Sequence, residues 1–185
     1  MGLTLILGGA RAGKSALAQR LGEAWTGPVT VVATARAGEA GMAARIARHR
    51  ADRPADWRTI EEPIDLAAAM ARASHDAVLI IDCLTVWVAN LMGAGWTPEA
   101  VIDAAAALAG TAAARLAPTV AVSNEVGMGV HPLTALGRDY QDLLGRVNTL
   151  WARAADTALL LVAGRALPLV APETILPALR ERSAP

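Results

Sequence analysis

Leu3-Thr4-Leu5-Ile6-Leu7, followed by Gly8-Gly9-Ala10-Arg11-Ala12-Gly13-Lys14-Ser15, is the stretch on which the reading of this chain turns. The first five residues form a short, nearly continuous apolar run, the pattern of a strand covered on both faces. The next eight fit G-x-x-x-x-G-K-[ST], and the alanine-rich residues from Lys14 to Trp25 read as a helix. Glycines in such a loop let backbone N–H groups turn inward around an anion, and the helix N-terminus adds partial positive charge. Lys14 is placed to reach the β and γ phosphates of ATP or GTP, and the Ser15 hydroxyl to ligate Mg²⁺. Gly8, Gly9, Ala10, Arg11, Ala12, Gly13, Lys14 and Ser15 are therefore the expected phosphate cradle. A glycine-rich turn with no function is the bland alternative, and the strand–loop–helix context argues against it.

Outward from the loop, similar β-branched runs recur at Val29–Ala33, Val78–Ile81, Thr119–Ser123 and Ala158–Val162. Helical patterns lie between them, over Glu39–Arg53, Ile64–Ala73, Thr85–Met92, Pro98–Leu116 and Leu143–Ala155. Thr97-Pro98-Glu99 supplies a cap and a first-position proline for one of these. Strands alternating with helices predict an α/β fold with a mostly parallel sheet flanked by helices and joined by right-handed crossovers. No repeat or linker divides the chain, so residues 1–185 are expected to form one domain ending in a short helix.

Composition narrows the class. The chain carries 17 basic and 17 acidic residues and one cysteine, Cys83. An intramolecular disulfide is excluded, which suits a reducing, cytoplasmic setting. The N-terminus lacks the pattern of a signal peptide. Ala77–Trp96 approaches bilayer length, but Asp82, Thr85 and Asn90 interrupt it, and a strand followed by a helix explains the same residues without a membrane span. No basic tail or aromatic-interleaved basic run supports a nucleic-acid partner. Lys14 is the only lysine among the basic residues, the rest being arginine. A compact ammonium suits a phosphate cradle.

A companion carboxylate for Mg²⁺ belongs at the C-terminal end of a neighbouring strand. Asp82, closing Val78-Leu79-Ile80-Ile81, has that position; capping of the next helix is its bland reading. Glu125, after Thr119–Ser123, is the weaker candidate. Of the three histidines, His49 stands out, because Arg45, His49 and Arg53 are four apart on one helical face and Arg48 and Arg50 flank it. Clustered guanidinium groups favour a neutral, nucleophilic imidazole and could hold a triphosphate. A basic face paired with Asp52, Asp56 or Glu61 accounts for the same spacing.

Beyond the loop, the chain carries Ala33-Thr34-Ala35-Arg36, His49-Arg50-Ala51-Asp52-Arg53-Pro54, Trp57-Arg58-Thr59, Asp82-Cys83-Leu84-Thr85 and Ser123-Asn124-Glu125-Val126-Gly127-Met128-Gly129. With these segments it resembles the bifunctional adenosylcobinamide kinase/adenosylcobinamide-phosphate guanylyltransferase family of cobalamin biosynthesis, nearly end to end. The resemblance implies a RecA-like P-loop NTPase fold assembled as a homotrimer. It implies phosphorylation of adenosylcobinamide from ATP or GTP, then transfer of GMP from GTP through a guanylylated histidine, here His49. The implied GTP site adds Thr34, Ala35, Arg36, Arg50, Ala51, Asp52, Arg53, Glu61 and Asp82 to the phosphate loop. Two rivals remain at this point: a small-molecule P-loop kinase without nucleotidyl transfer, and a non-catalytic nucleotide switch. A guanine-reading N-K-x-D motif is excluded, since the only lysine is Lys14.

Overall fold

The computed structural model describes residues 2–36 and 53–175. Seven strands make one sheet: β1 (Leu3–Gly8), β2 (Val29–Ala33), β3 (Arg58–Glu61), β4 (Val78–Asp82), β5 (Thr119–Val122), β6 (Thr157–Val162) and β7 (Arg165–Leu169). Their spatial order is β3-β2-β4-β5-β1-β6-β7, parallel except for the antiparallel β6–β7 pair. The described helices are α1 (Lys14–Glu23), α2 (Leu66–Ala71), α3 (Leu84–Gly93), α4 (Pro98–Ala113) and α5 (Ala135–Ala154).

Alternation along the central strands divides the core between two layers. Leu3, Leu5, Leu7, Leu79 and Ile81 join one buried cluster with side chains of α2 to α5. Ile6, Val78, Ile80, Val120 and Val122 join another, beneath Ala18 of α1. Burial on both faces is why these strands lack polar alternation in sequence.

β3, β7 and the first two turns of α5 were not expected from the sequence. Only Ile60 of β3 is buried, so this edge strand carries little apolar signal. β7 contains Pro168, a residue that argues against an interior strand but is admissible at an edge. α5 starts at Ala135 rather than Leu143, capped by Thr134, whose Oγ1 accepts from Gly137 N at 3.1 Å. Gly137 and Gly145 had weakened the helical pattern there. The expected helix over 39–53 lies outside the described residues except for Arg53, and so does most of the expected C-terminal helix.

Two connections leave the middle of the sheet in opposite directions. From β1 the chain runs through α1 towards β2, and from β5 through α5 towards β6. β1 and β5 are neighbours, so a crevice is set outside their C-terminal ends, where open α/β sheets bind ligands.

Candidate active site

The phosphate loop emerges from β1 into that crevice. Gly8 has φ +150°, and a Cβ there would stand 2.5 Å from the backbone oxygen of Leu161 on β6. Gly13, at φ +101°, is the left-handed residue that starts α1. These two glycines are required by backbone geometry. The β6–β7 hairpin supports the loop from outside: Ala163 and Gly164 both take positive φ in its turn, and Gly164 N donates to Ala12 O at 3.1 Å. No sequence signal linked that hairpin to the loop.

Lys14 is buried, and its Nζ donates to Gly9 O at 2.7 Å, so the ammonium lies across its own loop. Ser15 Oγ donates to Asp82 Oδ1 at 3.3 Å. The pair expected from sequence is thus brought together across 67 residues, with β5 as the one strand between β1 and β4. Both atoms are hard oxygen donors, the set that Mg²⁺ accepts alongside phosphate oxygens and water.

Thr34 follows β2 and is fully buried. Its Oγ1 donates to Cys83 O at 2.8 Å and accepts from Cys83 N at 2.9 Å, while its own N donates to Asp82 O at 3.1 Å. Asn90 Nδ2 donates to both Thr34 O and Pro63 O. Thr34 therefore clamps the turn that aims Asp82. Glu61, Ala33 and Asp82 stand in one row across β3, β2 and β4, which puts Glu61 on the same sheet edge. Ala35 is partly buried and Arg36 exposed just beyond.

Arg53, Trp57, Gln19 and Ile80 line a cavity of about 160 Å³ with Ser15 and Asp82. Gln19 was not singled out by sequence, although it lies four residues after Ser15 and so shares its helical face, and Trp57 figured only in the family-like segment Trp57-Arg58-Thr59. Gly22 admits the Trp57 ring, whose nearest atom would be 2.5 Å from a Cβ at that position. His49, Arg50, Ala51 and Asp52 lie outside the described residues.

On the far side of Asp82 a buried polar network holds the end of β5. Ser123 Oγ donates to Asn148 Oδ1 (2.6 Å), Asn148 Nδ2 donates to Asn124 O (3.0 Å), and Asn124 N donates to Thr85 Oγ1 (2.6 Å). Tyr140 OH donates to Thr85 O at 3.1 Å. Glu125 N then donates to Gly8 O at 3.1 Å, fixing this segment beside the phosphate loop. Buried networks of this kind stabilise only when every member is satisfied.

Burial, reinforced by the neighbouring Cys83, pushes the Tyr140 phenol up to about 12. Burial, with the Asp82 charge second, pushes the Cys83 thiol up to about 11. A raised acid holds its proton longer in the folded state, so this contribution is complete below the unfolded value and is lost as pH rises towards the folded one. Urea-unfolding stability is expected to fall as pH rises from about 9 to 12, and Tyr140→Phe to make the part of that decline above about pH 10 shallower. An identical decline in the variant would mean that the phenol does not contribute.

The geometry is that of a glycine-rich loop at a helix N-terminus with a carboxylate facing its serine, and sequence comparison decides the family. The family model "Cobinamide kinase / cobinamide phosphate guanyltransferase" matches residues 4–169. The chain belongs to this family. Among its relatives, the bifunctional adenosylcobalamin biosynthesis protein CobP of Pseudomonas aeruginosa is 43% identical over 172 residues, covering 89% of this chain and 95% of the relative. CobU proteins of the same description from Salmonella typhimurium and Escherichia coli are 38% and 37% identical, each covering 88% of this chain and 96% of the relative. This cobinamide kinase/guanyltransferase is thus an enzyme with a P-loop α/β fold. A solved protein from Pyrococcus horikoshii OT3 shares that fold at 8% identity and TM-score 0.55, covering 90% of this chain and 85% of its own. Among the described residues, no helix is long and apolar enough to cross a membrane.

Proposed function

We propose that residues 1–185 form one domain that phosphorylates adenosylcobinamide from ATP or GTP and then converts the product to adenosylcobinamide-GDP. The observation that carries this is Lys14, Ser15 and Asp82 converging on one phosphate loop in a chain of this family. In the first step the aminopropanol oxygen bonds to the γ-phosphorus, the bond to the bridging oxygen breaks, and the nucleoside diphosphate leaves. Lys14 and the loop N–H groups stabilise the charge on the transferring phosphoryl group. Ser15 and Asp82 would hold Mg²⁺, whose chemistry is to neutralise charge on the phosphate oxygens.

In the second step a ring nitrogen of His49 attacks the α-phosphorus of GTP and pyrophosphate leaves. The terminal phosphate of adenosylcobinamide phosphate then displaces histidine from the GMP phosphorus. A covalent intermediate divides one transfer between two crowded anions into two displacements. Arg53 supports the role of His49: it lines the cavity shared by Ser15 and Asp82, and four residues of chain span at most about 14 Å. Arg36, Arg50 and Glu61, with Ala35, Ala51 and Asp52, complete the proposed GTP site, which the fully buried Thr34 serves through the turn that it clamps at Asp82.

The test supplies the purified protein with Mg²⁺, adenosylcobinamide and ATP labelled at the γ-phosphate, then adds GTP labelled at the α-phosphate. Both labels are expected in one corrinoid product. Phosphorylation without GMP uptake would reduce the protein to a plain kinase, and neither label in the corrinoid would refute the reading. The family resemblance extends the proposal to a cytoplasmic homotrimer, which a monomeric mass by light scattering would overturn.

A further inference from the structure

Beside the segment after β5, which Glu125 N ties to Gly8 O, lies a second and larger opening. It is a groove of about 500 Å³ between α4, α5 and the loop after β5. Small-molecule sites commonly have volumes of roughly 300–1,000 Å³. Ile102 and Leu150 give it apolar walls, Gln141, Arg146 and Arg153 supply donors, and Glu125 stands among its lining residues. Nothing in the reaction described so far uses this groove.

We infer that the groove receives the arm of the acceptor that bears the alcohol, and that Glu125 takes the proton from that hydroxyl as the phosphoryl group arrives. This rests on the kinase reading above and names where its acceptor sits. Three observations converge on it. First, β1 and β5 flank the crevice where the chain's connections diverge, so a ligand there meets the phosphate loop and the end of β5 together. Second, Glu125 N is bonded to Gly8 O, the first residue of that loop, at 3.1 Å. Its Oε1 accepts from Gly127 N at 3.3 Å, at the groove's edge, whereas the Asp82 carboxylate faces Ser15. The two carboxylates therefore stand in different surroundings, one beside the metal-binding hydroxyl and the other beside the groove. Third, the donors of the groove suit the substrate class: an amide-decorated macrocycle offers carbonyl oxygens that Gln141, Arg146 and Arg153 can meet.

The loop continuing from Gly127 adds to this. Met128, Val130 and Leu133 are all well exposed there, as is Leu136 in the first turn of α5. A groove of this volume holds the arm and its adjoining amides, leaving the rest of a large corrinoid to lie against that apolar loop. In the step itself, the acceptor oxygen bonds to the γ-phosphorus while its O–H electron pair is released to oxygen. The proton passes to Glu125 Oε, and the bond to the β,γ-bridging oxygen breaks with departure of ADP. A positioned base of this kind is the recurring requirement of phosphoryl transfer to an alcohol.

The experiment measures transfer of label from γ-labelled ATP to adenosylcobinamide in wild type, Glu125→Gln, Glu125→Asp, Arg146→Ala and Arg153→Ala. Glu125→Gln is expected to lower kcat about 100-fold and to erase the acidic limb of the pH–rate profile, with Glu125→Asp recovering part of both. Loss of a charged hydrogen bond in the groove wall is expected to raise the KM for adenosylcobinamide about tenfold in Arg146→Ala or Arg153→Ala, with the KM for ATP unmoved. If wild type transfers no label to the corrinoid, the kinase reading itself fails. If wild type is active and Glu125→Gln stays within about twofold or keeps the acidic limb, the proton-accepting role is overturned. An unchanged corrinoid KM in both arginine variants overturns the groove. Should Glu125→Gln fail to fold, Glu125→Asp and the arginine variants decide the matter.

Discussion

Lys14→Met is expected to cut phosphoryl transfer to the corrinoid about 10³-fold, equivalent to about 4 kcal/mol of transition-state stabilisation. The ammonium is the one lysine charge in the chain and lies buried across its loop, bonded to Gly9 O. Its site excludes most water, so a positive charge aimed at developing phosphate charge acts there more strongly than in solvent. Methionine keeps the length and apolar character of the stem while removing the charge. Single-turnover transfer from γ-labelled ATP measures the effect directly. The uniqueness of Lys14 permits a second check: amine acylation reports on this residue and the chain terminus, and ATP should protect it. A loss of less than about tenfold, or no protection, would show that Lys14 does not reach the transferring phosphate.

His49→Ala is expected to abolish retention of label from α-labelled GTP, a loss on the order of 10⁶-fold by analogy with nucleophile removal in other covalent enzymes. Denatured wild type should carry an acid-labile, base-stable label, the signature of a phosphoramidate. The kinase half uses the loop, Lys14 and the Ser15–Asp82 pair, so transfer of label from γ-labelled ATP should persist in this variant. Label surviving in His49→Ala would assign the nucleophile elsewhere. Absence of label from wild type, despite product formation, would favour direct displacement on GTP without an enzyme-bound intermediate.

These two expectations show how unevenly the site could be read beforehand. Gly8 to Ser15 was legible because a phosphate cradle demands glycine, lysine and hydroxyl at fixed local spacing, directly after a strand. Asp82 could be singled out because it closes the run Val78–Ile81 at a strand end, although capping of the next helix would place a carboxylate there too. The functions of Thr34, Asn90 and Asn148 were not legible. Their hydrogen bonds run to residues 49, 56 and 24 positions away, and no local pattern announces such partners. The β6–β7 turn behind the phosphate loop was hidden for the same reason, since Gly164 meets Ala12 only after the sheet is assembled.

By itself the amino-acid order determined the α/β class and the central strands, and it singled out the Gly8–Ser15 loop with Lys14, Ser15 and Asp82 as the proposed phosphate site. Each follows from interactions between near neighbours: backbone periodicity, glycine conformational freedom and the alternation of apolar runs with helical ones. Only the tertiary structure decided that β5 separates β1 from β4, that Ser15 faces Asp82, and that Glu125 sits at Gly8 beside an open groove. Strand order is set by which buried faces fit together across the sheet and by the crossovers that join them. That is a property of the packed whole, and the site exists where those long-range choices bring the strand ends together.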